Sequence, residues 1–203
     1  MAEKNKYRII NIRRYIGNEN LELGEDELLQ ILSEFSCPMN PDVERFLKYS
    51  SIEFTKKNQS VTYLVFSVAD GKLLGYFTLA LKPLTIRGET VSNTVKKKLL
   101  RISELDKDSD TYTMSAYLIA QLGKNYSEDD GKLITGAELL ELAWDKIKAT
   151  QYVFGGMVTF LEAENEEKLL SFYHNNCFLQ FDTRQTTSNP DEPHELVQLL
   201  RLL

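Results

Sequence analysis

The 203-residue chain predicts an α/β (α+β) fold, a mixed central sheet with helices on its faces, formed as one domain over residues 1–203. Three observations carry that expectation. Apolar residues recur at helical spacing in several separate stretches. Other stretches are almost continuously apolar and rich in β-formers, as in strands covered on both faces. The two kinds follow one another in the order β-α-α-β-β-(α)-β-α-β-α-β-β, with no repeat, low-complexity tract or Pro/Gly/Ser linker between them.

Residues 7–14 alternate weakly and read as a first strand. Over residues 25–35, Leu28, Leu29, Ile31, Leu32 and Phe35 form a helical stripe. Asn40 caps a second helix with Pro41 in its first turn. That helix carries Val43, Phe46, Leu47 and Ile52 and fades near Lys57 and Asn58. In VTYLVFSVADGKLLGYFTLALK, two apolar runs flank Asp70-Gly71, which suits a two-residue type I′ hairpin turn. A short helix is expected over residues 95–102, followed by an exposed loop. TYTMSAYLIAQLG is a further central strand, and the loop KNYSEDDGKLIT follows it. Gly136 opens a helix whose buried face is Leu139, Leu140, Ala143, Trp144 and Ile147. GMVTFLEAE is a strand, residues 166–175 a helix, and residues 178–183 and 195–202 two strands that pair with each other.

Hydrophobic residues make up 42% and charged residues 27%, enough for a core and against disorder. A net charge of −6 opposes non-specific binding to nucleic acid or an anionic membrane. No apolar run approaches the roughly 18 residues of a membrane helix. Residues 1–14 lack the apolar core of a secretory signal. Cys37 and Cys177 have neither metal-ligand spacing nor a disulfide framework. A reduced, cytoplasmic protein is expected, with no bound metal.

Two places invite chemistry. Where a helix follows a strand, its first N–H groups are unpaired and carry partial positive charge, so the start of the helix at Gly136 and Ala137 is an anion site. Gly136 lets a ligand approach the backbone closely. The segment LEAENEEKLLSFYHNNCFLQF, residues 161–181, raises the second. On residue type alone Asn165 is a helix N-cap, favoured by Glu166 and Glu167, and Tyr173 is one of ten tyrosines filling a core.

These two segments resemble the GNAT N-acetyltransferases. In that family the fourth strand, here similar to LIAQLG, leads into a phosphate loop of pattern Arg/Gln-x-x-Gly-x-Gly/Ala and then a leucine pair, here Leu139-Leu140. Gly136 falls on the last small position, Ile134 on the first glycine and Gly131 on the Arg/Gln. The acidic EDDG makes the loop longer and more negative than the family's, with Lys124 and Lys132 as offsetting cations. The family's fifth strand and next helix run Leu-x-Ala-x-Asn, then Phe-Tyr and Gly-Phe. Here they are Leu161, Ala163, Asn165, Phe172-Tyr173 and Cys177-Phe178.

The resemblance implies a GNAT-like, largely antiparallel sheet with helices on both faces, and transfer of an acetyl group from acetyl-CoA to a primary amine of an unidentified acceptor. Acyl transfer needs a stabilised oxyanion and a protonated leaving thiolate. It assigns backbone N–H groups near Leu122 to the oxyanion, Asn165 to the pantetheine arm and Tyr173 to the thiolate proton. Lys124, Gly136 and Ala137 are the remaining expected donor-binding residues, in a cleft between the strands ending near Leu122 and Ala163. Glu162 and Glu164 are strand-end carboxylates, His174 and His194 read as isolated surface histidines, and the general base stays open. VKKKLLR, with Lys96, Lys97, Lys98 and Arg101, is a basic run that usually forms a solvated helix face. Its place before the fourth strand resembles the GNAT-type toxins of toxin–antitoxin pairs, which implies aminoacyl-tRNA as an alternative acceptor and an antitoxin partner, with a homodimer as the other open assembly. A non-catalytic GNAT-fold binding module is the third reading.

Overall fold

The computed structural model describes residues 6–16, 24–127, 132–186 and 194–203. Its elements are β1 (Tyr7–Asn11), a 3₁₀ turn (Ile12–Arg14), α1 (Glu25–Ser33), α2 (Pro41–Tyr49), α3 (Ser51–Lys56), β2 (Val61–Ser67) and β3 (Leu73–Arg87). A second 3₁₀ turn (Gly88–Thr90), α4 (Asn93–Leu99), β4 (Leu105–Asp106), β5 (Thr111–Lys124) and α5 (Gly136–Phe154) follow. The chain continues with β6 (Val158–Glu164), α6 (Glu167–Asn175), β7 (Leu179–Gln185) and β8 (Glu195–Leu202). The strands form an eight-stranded sheet in the order β1-β2-β3-β5-β6-β8-β7, with β4 paired to β5. The registers β1–β2, β2–β3, β4–β5, β6–β8 and β7–β8 are antiparallel, and β5–β6 is parallel, so the mixed, largely antiparallel expectation holds. Among the described residues no helix is long and apolar enough to cross a membrane.

The chain groups into two compact units, residues 1–80 with 119–146, and residues 81–118 with 147–203. In the first unit successive residues of β2 and β3 serve opposite faces, as strand geometry requires. Leu64 and Tyr76 pack with Leu28, Leu32 and Phe35 and with Leu47 of α2. Val65 and Phe77 pack on the other side with Leu139 and Ala143 of α5, joined by Leu74, which the bulge between the Val65–Gly75 and Phe66–Leu73 pairs turns to that side. Helices thus cover both faces of these strands. Gly75 and Gly123 make the contact between β3 and β5 close: a Cβ at Gly75 would lie 2.6 Å from the Gly123 carbonyl oxygen. In the second unit Leu84, Ile86, Met114, Phe160 and Leu200 form a core with Val95 and Leu99 of α4.

Several boundaries depart from expectation for local reasons. β1 stops at Asn11, whose side chain accepts from the Arg13 N–H and turns residues 12–14 into 3₁₀. The helix expected from Asn40 to Lys57 is two helices. Asn40 caps α2 through Val43 N–H, but Ser50 leaves helical geometry, and the Ser51 hydroxyl donates back to the Leu47 carbonyl at 2.6 Å. The β2–β3 connection is not a two-residue type I′ turn. Ser67 and Lys72 close it, the Gly71 N–H donates to the Ser67 carbonyl, and only Gly71, at φ +73°, is left-handed. Ser92 caps α4, which starts and ends before the expected 95–102, and the following stretch contains the short β4 hairpin to β5.

Candidate active site

In the second unit, β6 delivers the chain to α6. Leu161 and Ala163 are buried and Asn165 is exposed. Asn165 is not the N-cap: Glu166 holds that position, without a side-chain cap bond, and α6 begins at Glu167. The Asn165 amide bonds no described residue. One helical repeat pattern later, Tyr173 is 8% exposed, its ring in edge contact with Phe172 (5.0 Å between centroids) and Phe178 (5.8 Å). Burial pushes its phenol up to about 12, and its hydroxyl bonds no described residue. Tyr173 is thus a buried phenol between two rings whose hydroxyl bonds no described residue.

The turn after α6 fixes that ring. Cys177 N–H donates to the His174 carbonyl at 3.0 Å and Phe178 N–H to the Tyr173 carbonyl at 3.1 Å. This is a Schellman ending, with the Phe178–Tyr173 contact as its hydrophobic partner. Cys177 sits at φ +64°, the left-handed conformation that glycine adopts most readily. Cys177 thus holds a left-handed conformation at the position where the family pattern has glycine.

The remaining acid–base candidates of this unit are engaged. Glu162 accepts two bonds from Arg184, at 2.9 and 2.5 Å, and one from Gln198 at 2.8 Å. Glu164 lies 2.9 Å from His194 Nε2, and His194 also meets Thr186. His194 is thus not isolated, and the fold pairs it across thirty residues of sequence. His174 is exposed on α6. The basic run on α4 behaves as a solvated face: Val95 and Leu99 are buried, whereas Lys97, Lys98 and Arg101 are exposed.

In the first unit, β5 ends with Leu122, Gly123 and Lys124. The Leu122 side chain is partly buried against the cluster that holds Leu139. The register of β5 with β6 covers Tyr117 and Leu118. A Cβ on Gly123 would meet Val43 and come within 2.9 Å of Tyr76. The Lys124 ammonium lies 5.4 Å from the Tyr126 ring centre. EDDG, including Gly131, lies outside the described residues.

Helix α5 begins at Gly136, followed by exposed Ala137. Ile134, on the family's first glycine, is 1% exposed in the core, so its side chain is an anchor. Thr135 caps the helix: its hydroxyl accepts from Glu138 N–H at 3.1 Å, while the Glu138 carboxylate accepts from Thr135 N–H and from its hydroxyl at 2.8 Å. The Tyr7 hydroxyl donates to the same carboxylate at 2.8 Å. The Thr135 N–H, its hydroxyl and then Tyr7 hold the Glu138 carboxyl below its ordinary range. Burial, then Glu138, pushes the Tyr7 phenol up to about 12. The signature Thr-x-x-Glu was present in the sequence and announces this capping box. It consumes the Glu138 N–H and leaves those of Gly136 and Ala137, the first two of the helix, without an intrahelical partner.

No family model and no curated protein matches the chain. Solved structures do. AtaT complexed with acetyl-methionyl-tRNAfMet matches with a TM-score of 0.61 at 16% identity, covering 94% of this chain and 93% of that one. A tyrosine-to-phenylalanine mutant of the AtaT toxin, bound to the C-terminus of the antitoxin AtaR and acetyl-CoA, matches at 0.59 and 15%, covering 98% and 94%. A tyrosine-to-phenylalanine mutant of KacT matches at 0.61 and 18%, covering 98% and 95%. The chain therefore has the fold of these toxins, which is the GNAT fold expected from its sequence.

Proposed function

We propose that the chain works as a single acetyltransferase domain in the cytoplasm, moving an acetyl group from acetyl-CoA to a primary amine. The observation that carries this reading is Tyr173, a buried phenol with an uncommitted hydroxyl on the helix where the family keeps its acid. When the acceptor nitrogen attacks the thioester carbonyl, the C–N bond forms and the carbonyl oxygen takes up charge. Backbone N–H groups near Leu122 stabilise that oxygen. As the C–S bond breaks, Tyr173 gives its proton to the sulfur, and the proton lost by the acceptor nitrogen returns through solvent to the phenolate. Its raised pKa keeps it protonated at neutral pH and makes it a weaker acid than an ordinary tyrosine. Asn165 bonds the pantetheine amides, and the Gly136 and Ala137 N–H groups face the diphosphate, with Lys124 as a nearby cation. The neighbours AtaT and AtaR with acetyl-CoA support the choice of donor.

A second reading rests on α4 and the turn after it, where Lys97, Lys98 and Arg101 are exposed, together with the AtaT complex with acetyl-methionyl-tRNAfMet. In it the acceptor is the amine of an aminoacyl-tRNA, and a small antitoxin is the protein partner. Growth arrest on expression, relieved by Tyr173→Phe, distinguishes this acceptor from a metabolic amine. Acetyl-CoA tests the shared premise. A ligand that binds only the native state raises the thermal midpoint, by RT ln(1 + [L]/Kd) in free energy. A rise at millimolar acetyl-CoA is expected; its absence would leave the non-catalytic binding module.

A further inference from the structure

A hollow of about 560 Å³ opens in the first unit, away from any residue given a role in acetyl transfer. Ile9 and Asn11 of β1, Arg13 and Arg14 of the 3₁₀ turn, Tyr63 of β2 and Lys146 of α5 line it. Three of these six are cations and none is a carboxylate, in a chain of net charge −6. A second hollow of about 450 Å³ shares Ile9 and Lys146 and adds Arg8. Arg13 and Arg14 are adjacent like charges at the hollow, and a bound anion relieves their repulsion.

The aromatic part of the hollow is backed by a second ring. Tyr63 stacks on Phe77 at 5.1 Å and 20°, and the Lys146 ammonium lies 5.8 Å from its centre. Arg13 is anchored by a 2.8 Å bond to Asn58. Arg14 is exposed and bonds no described residue, so its planar fork of donors is open to a phosphate. The volume falls within the roughly 300–1,000 Å³ of small-molecule sites.

From this combination we infer that the hollow binds an organic phosphate of nucleotide size. The phosphates lie at Arg13, Arg14 and Lys146, and the apolar part lies against Ile9 and the edge of Tyr63. None of these residues is among those proposed for the acetyl donor.

Anisotropy titration of the whole chain with a fluorescent ATP analogue tests it. Saturable binding is expected, weakened about tenfold or more by Arg14→Glu, since a charge-assisted bond is lost and a repulsion added. Arg14→Lys retains most of the affinity, and both variants keep the wild-type far-UV circular dichroism. The thermal shift given by acetyl-CoA is the same in wild type and Arg14→Glu. The inference is overturned by absence of saturable binding at millimolar analogue, or by equal affinity in Arg14→Glu. It also fails if acetyl-CoA displaces the analogue competitively, or if a single-stranded oligonucleotide binds far more tightly than the mononucleotide.

Discussion

The end of α6 and the start of α5 solve opposite problems with the same local chemistry. At the end of α6, the backbone satisfies itself through a Schellman turn, and the Tyr173 side chain is left with a fixed ring and a free hydroxyl. At the start of α5, side chains satisfy the backbone: Thr135 and Glu138 bond each other's N–H groups, and Tyr7 adds a third bond to the carboxylate. The difference lies in what remains unspent. The helix end keeps a buried hydroxyl that bonds no described residue, whereas the helix start keeps two backbone N–H groups beside a resident negative charge.

The largest expected effect comes from removing the reserve. Tyr173→Phe deletes one hydroxyl that bonds no described residue, so folding and acetyl-CoA affinity should persist while turnover falls about 10²–10⁴-fold. Steady-state kinetics beside a thermal-shift titration checks this. Full turnover in the folded variant would make the two helix ends equivalent structural caps.

A smaller effect is expected in alkali. The folded Tyr173 phenol, at about 12, holds its proton where the unfolded phenol, near 10, loses it. Its contribution is complete below pH 10 and is lost as pH rises through about 12. The fall amounts to about 2–3 kcal/mol at one pKa unit per 1.36 kcal/mol. Urea midpoints between pH 9 and 12 should fall less steeply in Tyr173→Phe. Tyr7, raised for a related reason, keeps a residual slope.

The two caps themselves should respond in opposite directions. Thr135→Ala removes the capping hydroxyl and should destabilise by about 1 kcal/mol. Cys177→Gly relieves a left-handed backbone and should stabilise by up to about 1 kcal/mol, net of the greater freedom of an unfolded glycine. Chemical denaturation of both variants reads the pair. Destabilisation by Cys177→Gly would mean that the side chain supports the turn.

Period and propensity made most elements legible. The α5 stripe of Leu139, Leu140, Ala143, Trp144 and Ile147 is buried throughout, and Asn40 caps α2 as its sequence announces. Single hydrogen bonds decided the misplaced boundaries, at Asn11, Ser51 and Ser67, because each competes with an otherwise plausible periodicity. Tyr173 could be named from its neighbours in sequence, since its ring partners Phe172 and Phe178 are local. The partners of Glu162, Glu164 and His194 could not. They come from strands that register brings together from 22 to 36 residues away, and no local pattern encodes them.

The cysteine at the end of α6 gives the molecule a built-in attachment point. Cys177 is exposed, and the other thiol, Cys37, is buried, with its pKa raised by that burial. A maleimide dye or spin label is therefore directed to one position, four residues after Tyr173 in the chain. Its signal reports on the turn that holds the phenol ring without any engineered residue.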